Sequence, residues 1–235
     1  MIILAIDTAS PVCAACVFQE GKVLAEMSQT IGTGHAERLM PMIHDVMAKA
    51  DILYSHIGMI AVSIGPGSFT GVRTGLAAAK GFAQALNIPA IGISTLEAIA
   101  FEAKQTNQNE PLRVVIDAKR GEVHTQDFGA DGSADGVPIL LSLEDAKGGR
   151  GLRVLAGNGA TLVDNTVKSV LPHASTASIA IFAQIAALRG PNDISSLTIM
   201  PLYLRGADAK PQLGFALARM GQSGVQAGMQ QGVKA

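Results

Sequence analysis

The stretch Gly65-Pro-Gly-Ser-Phe-Thr-Gly-Val-Arg-Thr-Gly-Leu-Ala-Ala-Ala-Lys80 constrains the fold more than any other part of the chain. An apolar run, residues 59–64, leads into it, and a helical stretch of small residues leads out. Gly67, Gly71, Gly75 and Ala79 recur every four residues, which on a helix places them on one face. A glycine inside a helix costs about 0.8–1 kcal/mol relative to alanine, so Gly71 and Gly75 together cost about 2 kcal/mol. A second backbone packed close against this face offsets that cost. Either the chain's own domain or a partner supplies it.

The chain has 235 residues, enough for one large domain or two modest ones. With 48% hydrophobic and 16% charged residues it can bury a sizeable core, which argues against disorder. A net charge of −1 and the lack of any Lys or Arg run remove the electrostatic footprint of a direct nucleic-acid binder. Residues 1–6 are apolar but end at Asp7 without the features of a signal peptide, and no apolar run approaches a membrane span. Two cysteines make no disulfide framework. These features place the chain in the cytoplasm.

Residues 1–7, 13–18 and 22–28 read as a three-strand antiparallel meander with short turns. Residues 35–50 carry a helical apolar period through Leu39, Met40, Ile43, Val46 and Met47, with Pro41 early in the run. A strand at 59–64, the small-residue helix to about residue 86, a strand at 89–93 and a helix at 95–104 follow. Three antiparallel strands, helix, strand, helix, strand is the order of a ribonuclease-H-like unit. After a polar stretch at 105–110 the pattern restarts: Val114-Val-Ile-Asp117 echoes Leu4-Ala-Ile-Asp7, a second strand covers 122–128, a short one covers 153–156, and a helix covers 178–188. This predicts an α/β chain of two lobes, 1–104 and a smaller 111–205, with a cleft between them and a segment 206–235 ending in a loosely held tail. The second lobe reads as eroded, because residues 129–151 carry little pattern.

Cys13 and Cys16 have the spacing of a redox or metal pair, but in a strand residues three apart point to opposite faces, which predicts a structural role. His35, His44, His56, His124 and His173 are scattered, with no helical i, i+4 pair and no HExxH. The loop 65–71 follows a strand and opens a helix, a setting that favours anions. Thr70 stands where GxGxxG needs glycine, so the loop reads as a tight turn and close helix packing. Asp7, with Thr8 and Ser10 beside it, either closes a strand and opens a turn or faces the cleft near a bound phosphate; Asp117 is its counterpart. Residues 35–50 and the glycine-faced helix can lie side by side, and their methionines and small residues suit a helical-bundle interface.

Four segments together resemble the TsaB (YeaZ) family: Ala5-Ile-Asp-Thr-Ala-Ser10, Gly34-His-Ala-Glu-Arg-Leu39, the 65–76 motif, and Asp117-Ala-Lys-Arg-Gly-Glu-Val123. Pro201-Leu-Tyr-Leu-Arg205 also fits, and the likeness runs from residue 1 to about 210. The resemblance implies an actin-like two-lobed fold and a paralogue of the catalytic subunit TsaD that pairs with it through the two helices. With the ATPase TsaE, that pair modifies the adenosine next to the anticodon of tRNAs reading codons that begin with A, using threonylcarbamoyl-adenylate as donor. TsaD-like chains carry a metal-binding His-x-x-x-His where Thr95 and Ile99 stand here. The resemblance therefore implies a chain without that metal, acting as a non-catalytic scaffold or activator.

The expected interface to TsaD, or to a second copy when TsaD is absent, is Leu39, Met40, Ile43, Met47, Phe69, Gly71, Val72, Arg73, Gly75, Leu76 and Lys80. No cofactor is expected in the isolated subunit, ATP or ADP only in the assembled complex, and tRNA only through that complex. The rival reading is an ATPase or small-molecule kinase of the same superfamily. In it Asp7, Thr8, Ser10 and Asp117 flank a magnesium nucleotide contacted by Gly157, Asn158 and Gly159.

Overall fold

A computed structural model describes residues 1–107, 109–147, 154–191 and 199–205. The segment 206–235, with the tail expected after residue 220, lies outside the described residues. Antiparallel strands β1 (Ile2–Asp7), β2 (Val12–Gln19) and β3 (Lys22–Thr30) are joined in parallel by β4 (Ile57–Ser63) and β5 (Ala90–Ile93), in the order β3-β2-β1-β4-β5. A second sheet repeats the scheme. Its members are β6 (Leu112–Lys119), β7 (Glu122–Phe128), β8 (Ala134–Ser142), β9 (Val154–Ala156) and β10 (Lys168–Val170), ordered β10-β9-β6-β7-β8. Two ribonuclease-H-like repeats in one chain make an actin-like fold.

The expectation of an eroded second lobe is corrected, because its sheet has five strands like the first. β8 lies inside the stretch that showed no pattern. It is an edge strand, mostly exposed, and it carries Gly136 with φ 85° and Pro138, so the apolar alternation of a half-buried strand is missing. β10 is only three residues long, too short to signal itself.

Alternation along β1 and β2 splits the first sheet between two cores. Leu4, Ile6, Cys13, Ala15 and Val17 face outward beneath α1 (His35–Ala50) and α2 (Phe69–Leu86). Ile3, Ala5, Ala14, Cys16 and Phe18 face inward. Cys13 and Cys16 are thus free thiols on opposite faces, and burial pushes them up to about 11 and about 12 respectively. That fits packing rather than redox work.

Between the sheets lie α3 (Thr95–Thr106) and α6 (Ile179–Arg189). Each lies against the repeat it does not belong to: α3 packs on β6, β7 and β9, and α6 packs on β1, β2, β4 and β5. Sequence periodicity gave α6 one apolar face, yet Ile181 and Ile185 are buried along with Ile179, Phe182, Ala183 and Ala186. A helix between two sheets is apolar all round. On the far side of the second sheet, α4 (Leu143–Lys147) and α5 (Ala160–Val163) cover Val115, Val123 and Leu155. Residues Met1–Arg205 form one compact unit, so the segments 1–104 and 111–205 are repeats sharing a core.

Phe182 is wholly buried in that shared core. Phe182→Ala should lower stability by about 3–5 kcal/mol. Hydrogen exchange should show protection lost from amides of β1 and β6 alike.

Candidate functional site

Asp7 closes β1 and is 1% exposed. One carboxylate oxygen accepts from the Ser63 hydroxyl and from Ala9 N at 2.8 Å; the other accepts from Thr176 Oγ1 at 2.6 Å. Ser63 ends β4 and Thr176 precedes α6, so this carboxyl ties the two repeats together. Burial pushes its pKa above the usual carboxylate range, against the opposing pull of those hydrogen bonds. Next to it, Thr8 Oγ1 donates to Gly71 O at 2.7 Å, Val12 N donates to Ser10 Oγ at 3.1 Å, and His35 Nε2 donates to Ser10 O at 2.9 Å.

The glycine face of α2 meets this turn. A Cβ at Gly67 would stand 2.0 Å from Ala9 O, one at Gly71 2.0 Å from Thr8 O, and one at Gly75 2.6 Å from Thr8 Oγ1. Ser68 N donates to Ala9 O at 2.7 Å, while Ser68 Oγ caps the helix by accepting from Gly71 N at 3.2 Å. Of the two sources of close packing that the sequence left open, the chain's own β1–β2 turn is the one present. The sequence reads Asp7, Thr8 and Ser10 either as a strand end opening a turn or as cleft residues, and the structure places them in this turn. All three are buried, and their polar groups are engaged within the chain.

The second repeat is similarly self-satisfied. Asp117 N donates to Asn158 Oδ1 at 3.0 Å, and its carboxylate accepts from Lys119 N and Lys119 Nζ at 2.8 and 2.6 Å. Partial burial raises the Asp117 pKa, but the hydrogen bonds and charge of Lys119 outweigh it and hold the group below the usual range. The amides of Gly157, Asn158 and Gly159, expected to contact a nucleotide, donate instead to Val170 O, Ala174 O and Val115 O. A Cβ at Gly159 would lie 3.0 Å from Asp117 N. Arg205 braces the β6–β7 turn through Ala118 O at 3.1 Å and the Glu122 carboxylate. Sequence reasoning missed Ser63, Thr176 and the bracing role of Arg205, since a hydroxyl or guanidinium distant in sequence carries no local signal.

The expected interface divides in two. Leu39, Ile43, Met47, Val72 and Leu76 are core residues of the first repeat, and Gly71 and Gly75 face the Thr8 turn, so none of these offers area to a partner. Met40, Phe69, Arg73 and Lys80 are exposed, with Ala77 and Gly81 beside them on α2. Phe69 stacks on Tyr203 with ring centroids 5.2 Å apart, and the Arg73 guanidinium lies 3.6 Å above the Phe69 ring while its Nε donates to Tyr203 Oη at 2.7 Å.

Residues 23–134 match the family described as TsaD, tRNA N6-adenosine threonylcarbamoyltransferase. An uncharacterised protein of Mycobacterium tuberculosis is 32% identical over 211 residues, covering 89% of this chain and 94% of its own. The tRNA threonylcarbamoyladenosine biosynthesis protein TsaB of Escherichia coli is 37% identical over 131 residues, 56% of each chain. The alignment thus spans little more than half of that curated relative. The solved structure of YeaZ from Pseudomonas aeruginosa superposes with a TM-score of 0.70 at 27% identity, covering 86% of this chain and 99% of that one. The chain belongs to the TsaB/YeaZ family. Thr95 and Ile99, the positions that the resemblance sets against a metal-binding His pair, are both wholly buried, and Ile99 lies inside the apolar core. Such a pair does not fit a metal, because an isoleucine side chain has no ligating atom.

Gly71→Ala should cost about 1–3 kcal/mol through overpacking against Thr8. Gly81→Ala, with nothing within 4 Å of its new Cβ, should stabilise by about 1 kcal/mol; urea denaturation measures both. Folded Asp7 holds its proton more tightly than the unfolded chain does. Its contribution is therefore greatest below the usual carboxylate pKa and falls as pH rises toward the raised one. In Asp7→Asn that pH dependence should vanish from the stability profile.

Proposed function

We propose that this chain is a non-catalytic subunit in the biosynthesis of threonylcarbamoyladenosine on tRNA, pairing with a TsaD-type transferase and acting with the ATPase TsaE in the cytoplasm. The observation that carries the reading is the contact of Gly67 and Gly71 with the carbonyls of Ala9 and Thr8. The turn that would lie against a phosphate is filled by the chain's own backbone. The names of the TsaB relatives support the pathway, and the Thr95 and Ile99 positions support the absence of transferase chemistry. ATP or ADP, and tRNA, then belong to the assembled complex.

The pairing surface in this reading is the exposed side of α1 and α2, carrying Met40, Phe69, Arg73, Ala77 and Lys80. Met40 and Phe69 are 50% and 52% exposed, large apolar side chains that a partner would cover. Without the transferase, the same surface pairs two copies of this chain. Gly75 is no probe of it, because a side chain there strikes Thr8 first.

Ala77→Arg should weaken binding to TsaD by more than tenfold in sedimentation while leaving the melting temperature unchanged. Equal binding would remove α2 from the interface. Modification of tRNA by TsaD and TsaE should require the wild-type chain. Stoichiometric ATP binding and hydrolysis by the isolated chain would instead favour the kinase or ATPase reading.

A further inference from the structure

We propose that Phe69, Arg73 and Tyr203 form a preassembled seat for a carboxylate of the partner protein. This rests on the pairing proposed above and names the chemistry at its centre. Arg73 is an exposed arginine already held in one geometry: its guanidinium lies on the Phe69 ring, and its Nε is committed to Tyr203 Oη. Tyr203 is itself fixed, because it stacks on Phe69 and the neighbouring Leu202 N donates to Ile64 O at 2.8 Å. The rotamer freedom an arginine ordinarily loses on binding is therefore already lost. Nη1 and Nη2 keep their N–H groups for the two oxygens of one carboxylate.

Charge complementarity identifies the occupant. Arg113, Arg189 and Arg205 each pair with an acid of the chain, namely Asp127, Glu97 and Glu122. Among the described residues no carboxylate pairs with Arg73, although it is the arginine that two aromatic rings hold in place. The surroundings favour a protein over a phosphate chain. Phe69 at 52% exposure and Tyr203 at 43% supply apolar area that a protein interface would bury, drying the ion pair. A nucleic-acid backbone would call for several cations, and α2 adds only Lys80, two turns on.

The test is calorimetric titration of the full chain with purified TsaD from the same organism, at low and high salt. Arg73→Ala should weaken binding roughly thirtyfold, as expected of a hot-spot side chain. Arg73→Lys should lose nearly as much, because a lysine keeps the charge but not the planar fork or the stacking. Tyr203→Phe should lose several-fold. The salt dependence of the wild type should flatten in Arg73→Ala. Arg73→Glu should be rescued by one Asp→Lys or Glu→Lys reversal in TsaD. If the wild type binds and Arg73→Lys and Tyr203→Phe bind equally well, the seat is overturned and the pairing stands. If the wild type does not bind, both fall. Saturable shifts of the Arg73 Nε resonance on adding inorganic phosphate to the isolated chain would overturn the carboxylate seat in favour of a phosphate one.

Discussion

The backbone of residues 67–71 rests directly on the carbonyls of Thr8 and Ala9, and the rest of the molecule is arranged around that contact. It sets the height of α2 above the first sheet and brings Thr8 Oγ1 to the Gly71 carbonyl. It also turns Phe69 and Arg73 outward, because the opposite side of the same turn of helix is occupied by glycine. Only a residue without a Cβ permits an approach this close. The helix-propensity cost of Gly71 and Gly75 is thus repaid within the chain, in a hydrogen bond and in packing.

From this contact the architecture runs inward. Asp7, at the end of β1, gathers a hydroxyl from β4, an amide from its own turn and the Thr176 hydroxyl from the second repeat. Its hydrogen-bonding capacity is spent on joining two halves. In the second repeat Asp117, Asn158 and the amides of 157–159 are engaged as well, with partners inside that repeat. On the surface of α1 and α2, Met40, Phe69, Arg73 and Lys80 are left exposed.

Much of the fold was legible in the sequence because the first repeat obeys simple periods. Its strands alternate, and its helices begin at capping residues such as Ser68 and Ser94. The ends of α1 and α2 agree with the periodicity, and the echo of Val114–Asp117 on Leu4–Asp7 correctly announced a duplication. Legibility failed at β8, where an exposed edge removes the alternation, and at β10, which is too short. For the candidate site, the sequence singled out residues and left open what they touch. The four-residue glycine spacing announced a close approach without naming its partner. Leu39, Ile43, Met47, Val72 and Leu76 show why an apolar stripe is an ambiguous sign: the period that marks a core face also marks a docking face, and only the sheet beneath them decides. The clamp of Arg73 by Tyr203 was invisible because 130 residues separate the two.

The reciprocal placement of α3 and α6 has a consequence for how the chain is made. The inner face of the first sheet, with Ile3, Phe18, Met59 and Ile93, is covered by a helix that ends at Arg189. While the ribosome is still translating the second repeat, that face has no native cover, and α3 waits equally for β6 and β7. The amino-terminal repeat therefore emerges as a sticky intermediate rather than a finished domain. Its exposure to chaperones and proteases lasts for roughly the time needed to synthesise the second half. Any truncation upstream of α6 prolongs that state indefinitely.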